Sequence, residues 1–334
     1  MTPPPFVIGH RGACGYRPEH TLASYELAAR LGADFLEPDL VMTSDGHLVA
    51  RHESEIGHTT DVASRPEFAT RRTTKVIDGR EVSGWFSEDF TLAEIKTLRA
   101  IERIPQLRQQ NTLYDGAYEV PTFTEILDLR QRMEGELGRP IGVYPETKSP
   151  SYFESLGLSF DEPLLTALRA ADLDRADAWC FVQSFEITNL RRLREAHGAR
   201  VPMVFLTEGQ GGPHGDPRRY EDYLTGPGLT ELAETVQGIG PAKDQVIART
   251  ESGALGESTG LVARAHAAGL VVHPYTFRVE NAFLPTDLRV GSVEHEVGRA
   301  FDEQLAFLGE GVDGLFCDQA DVGVEARRRF LDGR

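Results

Sequence analysis

Apolar and polar positions change period repeatedly along the chain. Short runs rich in β-branched and aromatic residues at 6–10, 35–41, 48–52, 141–146, 179–184, 201–206, 237–240, 270–276 and 313–318 read as strands. Between them lie helical spacings at 21–31, 123–134, 163–171, 187–197, 229–235, 259–268 and 301–308, several closed by glycine. Such alternation is the pattern of βα units around a parallel sheet. Nine strands are one too many for an eight-stranded barrel. Only Ser44, Asp45, Gly46 and His47 separate the second from the third, however, and a parallel crossover needs about a dozen residues. These two are expected to form an antiparallel hairpin turned at Asp45-Gly46. That leaves a (β/α)8 TIM barrel as the expected fold, with a doubly wound open sheet as the competing architecture.

Residues 53–120 break the rhythm, with turn formers, arginine pairs and one helical patch at 92–100. The stretch is too long for an ordinary barrel loop. It reads as an insertion within one domain spanning 1–334, either a wall or lid over the barrel mouth or a plain surface excursion.

Composition narrows the function. The 334 residues carry 52 acidic against 35 basic side chains, a formal charge of −17, which argues against a phosphate-tracking surface for nucleic acid. Any phosphate must be bound locally. No apolar run approaches the ~18 residues of a membrane span, so no integral membrane association is expected. The start has neither a basic nor an apolar signal region, so the chain as written is expected in the cytoplasm, or in the periplasm or outside if a signal peptide was removed. Cys14, Cys180 and Cys317 are far apart and expected to be free thiols. Oligomeric state leaves no mark in the sequence.

Candidate chemistry gathers at strand ends, where barrel enzymes keep their reacting groups. The first strand ends in His10-Arg11-Gly12; Arg11 can fork onto two phosphate oxygens and Gly12 admits close backbone approach, unless His10 and Arg11 merely bond loop carbonyls. Glu37 and Asp39, two apart on one strand, point the same way, into the barrel. Carboxylates there cost several kcal/mol each unless paired or bound to a cation, so either a hard divalent metal or a buried Arg or Lys is expected beside them. The hairpin returns His52 to the neighbourhood of Glu37, giving two imidazoles for general acid and base work at a phosphodiester. Glu146 and Lys148 share a face: a third metal carboxylate and a phosphate-binding cation, or simply a salt bridge. Phe185 and Tyr275 line an apolar wall for a glycerol or alcohol, or belong to the core.

The segments HRGACGYRPEHT, FLEPDLVMTSDG, VARHE, GVYPETK, VQSF, VVHPYT and VDGLFCDQAD, in this order from about residue 7 to 321, resemble the motifs of the glycerophosphodiester phosphodiesterase family. GIGP, VVHPYT and the long insertion are most similar to its bacterial periplasmic-type branch. The resemblance implies a (β/α)8 barrel that hydrolyses small-molecule glycerophosphodiesters, such as glycerophosphocholine or glycerophosphoethanolamine, to sn-glycerol 3-phosphate and an alcohol. It implies one divalent cation, Ca2+ or Mg2+. Carried onto this chain, it places the catalytic histidines at His10 and His52, the metal carboxylates at Glu37, Asp39 and Glu146, and the phosphate-contacting cations at Arg11 and Lys148. Glu19 then buttresses the rim. Glu53 stands where the family more often has Asp, and Gln319-Ala320-Asp321 where a proline usually precedes the last Asp; both bear on substrate shape. Competing readings are a phosphodiesterase for teichoic-acid glycerol phosphate or lysophospholipid, and a non-catalytic barrel binding glycerol phosphate.

Overall fold

Strand alternation sorts the chain into a lumen and an outer face. The structure, a computed structural model, describes residues 4–333. The first barrel strand (Phe6–His10) lies between the eighth (Gly314–Cys317) and the second, with Val7 opposite Leu315 and His10 opposite Glu37. Pro38 has no N–H for the ladder, and the second strand is split there into Phe35–Glu37 and Asp39–Met42. The third is split likewise, into Gly142–Val143 and Glu146–Thr147, with Asp39 opposite Glu146. The fourth (Val182–Ser184), fifth (Met203–Thr207), sixth (Gly238–Pro241) and seventh (Val271–Val272) continue in parallel. A bridge between Phe277 and Cys317 returns the sheet to the eighth strand. The fold is the expected (β/α)8 barrel.

The ninth strand, Leu48–Ala50, pairs antiparallel with Asp39–Met42, Val41 facing Val49, and Gly46 takes the positive φ of 80° that the turn needs. Inside the barrel, Ile8, Phe35, Tyr144, Val204 and Phe316 form an apolar plug. Two residues further along their strands, the same period sends His10, Glu37, Glu146 and Asp318 to the mouth. Helices cover the outside. Leu22–Arg30 is capped by the Thr21 hydroxyl, and Phe123–Leu137 by a Thr122/Glu125 capping box.

Several expectations need correction. The helical patch at 92–100 contracts to Leu92–Ile95. An unforeseen hairpin, Thr73–Ile77 with Arg80–Gly84, stands in the 53–120 segment, and another pairs Ile247–Arg249 with Leu255–Ser258. The first is mostly exposed and polar and the second largely half-buried, so neither has a buried face that imprints a period on its sequence. The helix Ala320–Asp332 was hidden by its charge: its covered positions are chiefly Ala320, Gly323 and Ala326. His273, in the VVHPYT segment, lies below the rim. It is fully buried in the barrel, hydrogen-bonded to the Tyr144 hydroxyl (2.9 Å). The three cysteines are buried free thiols. Among the described residues no helix is long and apolar enough to cross a membrane.

Candidate active site

Register assembles the carboxylates. With Glu37 beside His10 and Asp39 opposite Glu146, one carboxylate oxygen from each of Glu37, Asp39 and Glu146 lies within 4.8 Å of the other two. All three residues are buried. Glu37 accepts from the Arg11 backbone N–H (2.7 Å) and from Gln183 Nε2 (3.1 Å). Asp39 Oδ2 meets His20 Nε2 at 2.9 Å and Arg11 Nε at 3.4 Å. Lys148 Nζ donates to Glu146 (2.6 Å) and lies 3.9 Å from Asp39. Burial, then the charges of Asp39 and Glu146, push Glu37 well above the usual carboxylate range. Burial and then Asp39 also raise Glu146, against Lys148. Asp39 is held well below that range because Lys148, His52 and His20 outweigh its burial. The salt-bridge reading of Glu146 and Lys148 is therefore real, but Lys148 and an Arg11 shared with Glu19 do not discharge three acids. Asp39 Oδ1 is buried without any hydrogen-bond partner. An all-oxygen cluster with an orphaned lone pair fits a hard divalent cation.

The two imidazoles are held alike. His10 Nδ1 meets Asp318 Oδ1 at 2.6 Å, and His52 Nδ1 meets the carboxylate of Glu53. A carboxylate only accepts, so Nδ1 carries the proton and Nε2 is left to the cavity that both rings line. Burial, then Arg11, pushes His10 down to about 4 against the pull of Asp318. His52 is depressed by burial, Arg11 and Lys148. With no anion bound beside them, both rings thus favour the neutral form. Behind them stand arginines. Arg108 Nη2 and Arg278 Nε reach Asp318 Oδ2 at 2.5 and 2.9 Å. Arg103 forks onto Glu53 at 3.0 and 2.7 Å.

Arg11 sits at φ 55° and Gly12 at φ 86°, a tight left-handed corner. A Cβ on Gly12 would lie 2.5 Å from Ser24 Oγ, so the glycine serves packing against the first helix and not ligand approach. Arg11 Nη1 also bonds Glu19 (2.9 Å), which is the buttress expected of that residue. The cavity has a volume of about 890 Å³. His10, Arg11, Glu37, His52, Glu146, Lys148, Phe185 and Tyr275 all line it, with Asp39 attached through Lys148. Phe185 stands edge-on to both Tyr275 (centroids 6.0 Å) and Tyr220 (6.2 Å), and Lys148 Nζ is 5.6 Å from its centroid. Ile77, Asp78 and Arg80, at the tip of the 73–84 hairpin, also line it, and Ser149 Oγ, next to Lys148, donates to Asp78 (2.6 Å).

Sequence reasoning assigned no site role to His20, Gln183, Arg103, Arg108, Arg278 and Asp318. Gln183 and Asp318 follow from the period of two, being two residues before Phe185 and two after Phe316. The insertion arginines carry no such signal.

The model of the glycerophosphoryl diester phosphodiesterase family matches residues 10–322. A glycerophosphodiester phosphodiesterase of Arabidopsis thaliana is 33% identical over 331 residues, covering 95% of this chain and 84% of that protein. One from Haemophilus influenzae is 29% identical over 349 residues, covering 98% and 90%. Among solved structures, a protein from Silicibacter pomeroyi superposes with a TM-score of 0.69 at 22% identity, covering 99% of this chain and 95% of that one. An Oleispira antarctica phosphodiesterase in complex with the product sn-glycerol-3-phosphate gives 0.62 at 19% identity, covering 97% and 96%. These two share the fold. With one family matched along nearly its whole length and a relative one-third identical over the same span, the chain belongs to the glycerophosphoryl diester phosphodiesterase family and is an enzyme of that class.

Proposed function

We propose that the protein hydrolyses glycerophosphodiesters, such as glycerophosphocholine and glycerophosphoethanolamine, to sn-glycerol 3-phosphate and the free alcohol, with a divalent cation held by Glu37, Asp39 and Glu146. The observation that carries this reading is the pair of imidazoles, each tied through Nδ1 to a carboxylate, on one cavity with that acid cluster. When bound, Ca2+ or Mg2+ supplies positive charge against the phosphate and acidifies a hydroxyl in contact with it. The chain's own groups do the rest. One neutral imidazole takes through Nε2 the proton of the substrate's 2-hydroxyl as its oxygen attacks phosphorus, and the other, which enters the step as imidazolium once the anionic phosphate lies beside it, gives its Nε2 proton to the departing alkoxide. The carboxylate behind each ring stabilises it when charged. Arg11 and Lys148 hold the equatorial oxygens of phosphorus as charge builds there. Water then opens the cyclic glycerol phosphate on the same two rings with their roles exchanged.

Four further acids on the cavity support a cationic alcohol. Asp78, Glu186, Glu208 and Asp244 line the cavity, and among the described residues none has a lysine or arginine within ion-pair distance. Beside them stand Phe185, Tyr220 and Tyr275, whose ring faces attract an ammonium group. The test is release of glycerol 3-phosphate and choline from glycerophosphocholine, before and after chelation and with Mg2+ or Ca2+ added back. Release that returns with the ion is expected; no release under any condition overturns the reading. An analogue lacking the 2-hydroxyl tests the cyclic route, which turnover at the normal rate would exclude.

A further inference from the structure

Both histidine–carboxylate pairs end on arginines five residues apart in the 53–120 segment. Arg103 binds Glu53 with two nitrogens and Glu19 with two contacts of 2.8 and 2.6 Å, so one guanidinium joins the acid behind His52 to the acid behind Arg11. Arg108 binds Asp318, the acid behind His10, at 2.5 Å and Glu280 at 2.7 Å. The turn between them is fixed: Arg108 N–H donates to the Ile104 carbonyl (3.0 Å), Arg108 Nη1 to the Cys14 carbonyl (3.1 Å), and Ile104 N–H to Glu102 (3.0 Å). Asn111 ties Glu102 to the same Cys14 carbonyl, at 2.9 and 3.1 Å. Arg108 is buried, and the Arg103 side chain is only 23% exposed.

We infer that the 103–108 turn is a catalytic brace, in which Arg103 and Arg108 are positioning residues that hold the carboxylates of Glu53 and Asp318, and through them fix the orientation and tautomer of His52 and His10. The physical argument is reach. Glu53 follows its histidine on a loop outside the barrel ladder, and nothing in the strand register orients its carboxylate. A two-nitrogen guanidinium contact supplies both direction and charge where Lys, a point charge, supplies only charge. Neither arginine contacts the acid cluster of Glu37, Asp39 and Glu146, so the effect falls on proton transfer and not on holding the cation.

The inference rests on the proposed reaction, so its test has two readouts. In turnover of glycerophosphocholine, Arg103→Ala is expected to lower kcat ~10- to 100-fold, the size usual for a lost partner of a site residue, with KM moved less than ~3-fold. Added guanidinium restores part of that loss, while Arg103→Lys remains impaired. If Arg103 acts through Glu53, the double variant Arg103→Ala/Glu53→Gln is no slower than the worse single; multiplied losses, or wild-type kcat in a folded Arg103→Ala, overturn the inference. Arg108→Lys, which keeps a buried cation between Asp318 and Glu280, is expected to lower kcat in the same way. Leu113→Ala, exposed in the same segment, leaves kcat unchanged. Independently of turnover, imidazole 15N spectra are expected to show His52 as the Nδ1–H tautomer in the parent and a mixture in Arg103→Ala. An unchanged His52 spectrum in that variant sinks the brace, whereas a parent without turnover sinks the reaction alone.

Discussion

The barrel strands and the 53–120 segment both reach the cavity, but they deliver side chains by different physical means. A strand residue's direction is set by the backbone: two-residue alternation aims His10, Glu37, Asp39, Glu146 and Asp318 inward, and hydrogen-bonded register sets their heights to within a fraction of a residue. Among the described residues the inserted segment shares no ladder with the barrel strands; its isolated bridges, Glu55 with Phe86 and Thr60 with Ala100, are internal. Its contributions, Arg103, Arg108 and the hairpin tip at Asp78, are held by side-chain ion pairs and hydrogen bonds. The lesson is a division of labour. In the proposed reaction His10 and the acids Glu37, Asp39 and Glu146 stand on or at the ends of register-fixed barrel strands, whereas His52, just past Leu48–Ala50, and the acids lining the space for the leaving alcohol stand on loops held by side-chain contacts.

That contrast makes graded predictions. The largest effect is expected from stripping the cation: exhaustive chelation brings turnover to background, and Mg2+ or Ca2+ restores it. Turnover that survives chelation removes any cation role from Glu37, Asp39 and Glu146. Next, His10→Ala and His52→Ala each lower kcat by ~10²- to 10⁴-fold with the circular dichroism spectrum unchanged, the usual share of a general acid or base. If both variants turn over normally, these two rings are not the reacting groups.

Loop residues sharpen the contrast. Asp78→Asn and Glu208→Gln are expected to raise KM for glycerophosphocholine by ~3- to 10-fold, the scale of one lost cation contact, with kcat nearly unchanged. KM for glycerophosphoglycerol, which has a neutral alcohol, should not move. Equal rises for both substrates would assign these acids to packing and not to charge recognition.

The smallest effect at neutral pH is expected at His273, on the barrel but below the site. Burial pushes its folded value down to about 4, against 6.5 in the unfolded chain. As pH falls the unfolded state takes up this proton first, so the contribution to stability is complete above 6.5 and is lost on the way down through about 4. It amounts to at most roughly 3 kcal/mol, at ~1.4 kcal/mol per pH unit. His273→Asn should therefore lose less Tm than the parent between pH 7 and 4.5; parallel curves would show that the ring is protonated in the fold.

Much of the site was legible because a period of two and a short turn are local quantities. Four residues between two strands demand a hairpin, and the hairpin brings His52 back toward Glu37 before any coordinates are known. Gly12 was misread because its constraint is the helix packed beside it, with Ser24 twelve residues away. The exposed hairpin at 73–84 and the helix at 320–332 were missed because neither buries a large apolar stripe, which is what leaves a period in a sequence.

By itself the sequence decided which residues share a strand face, which strand could not be parallel, and which acids would need a counter-charge, since each depends only on neighbours a few positions away. Closure of the eighth strand onto the first, the meeting of Asp318 with His10 across 308 positions, and the reach of Arg103 and Arg108 to the acids behind both rings were settled by the folded chain alone. Those pairings follow from long flexible side chains brought together by packing, and no spacing along the backbone encodes where such side chains end.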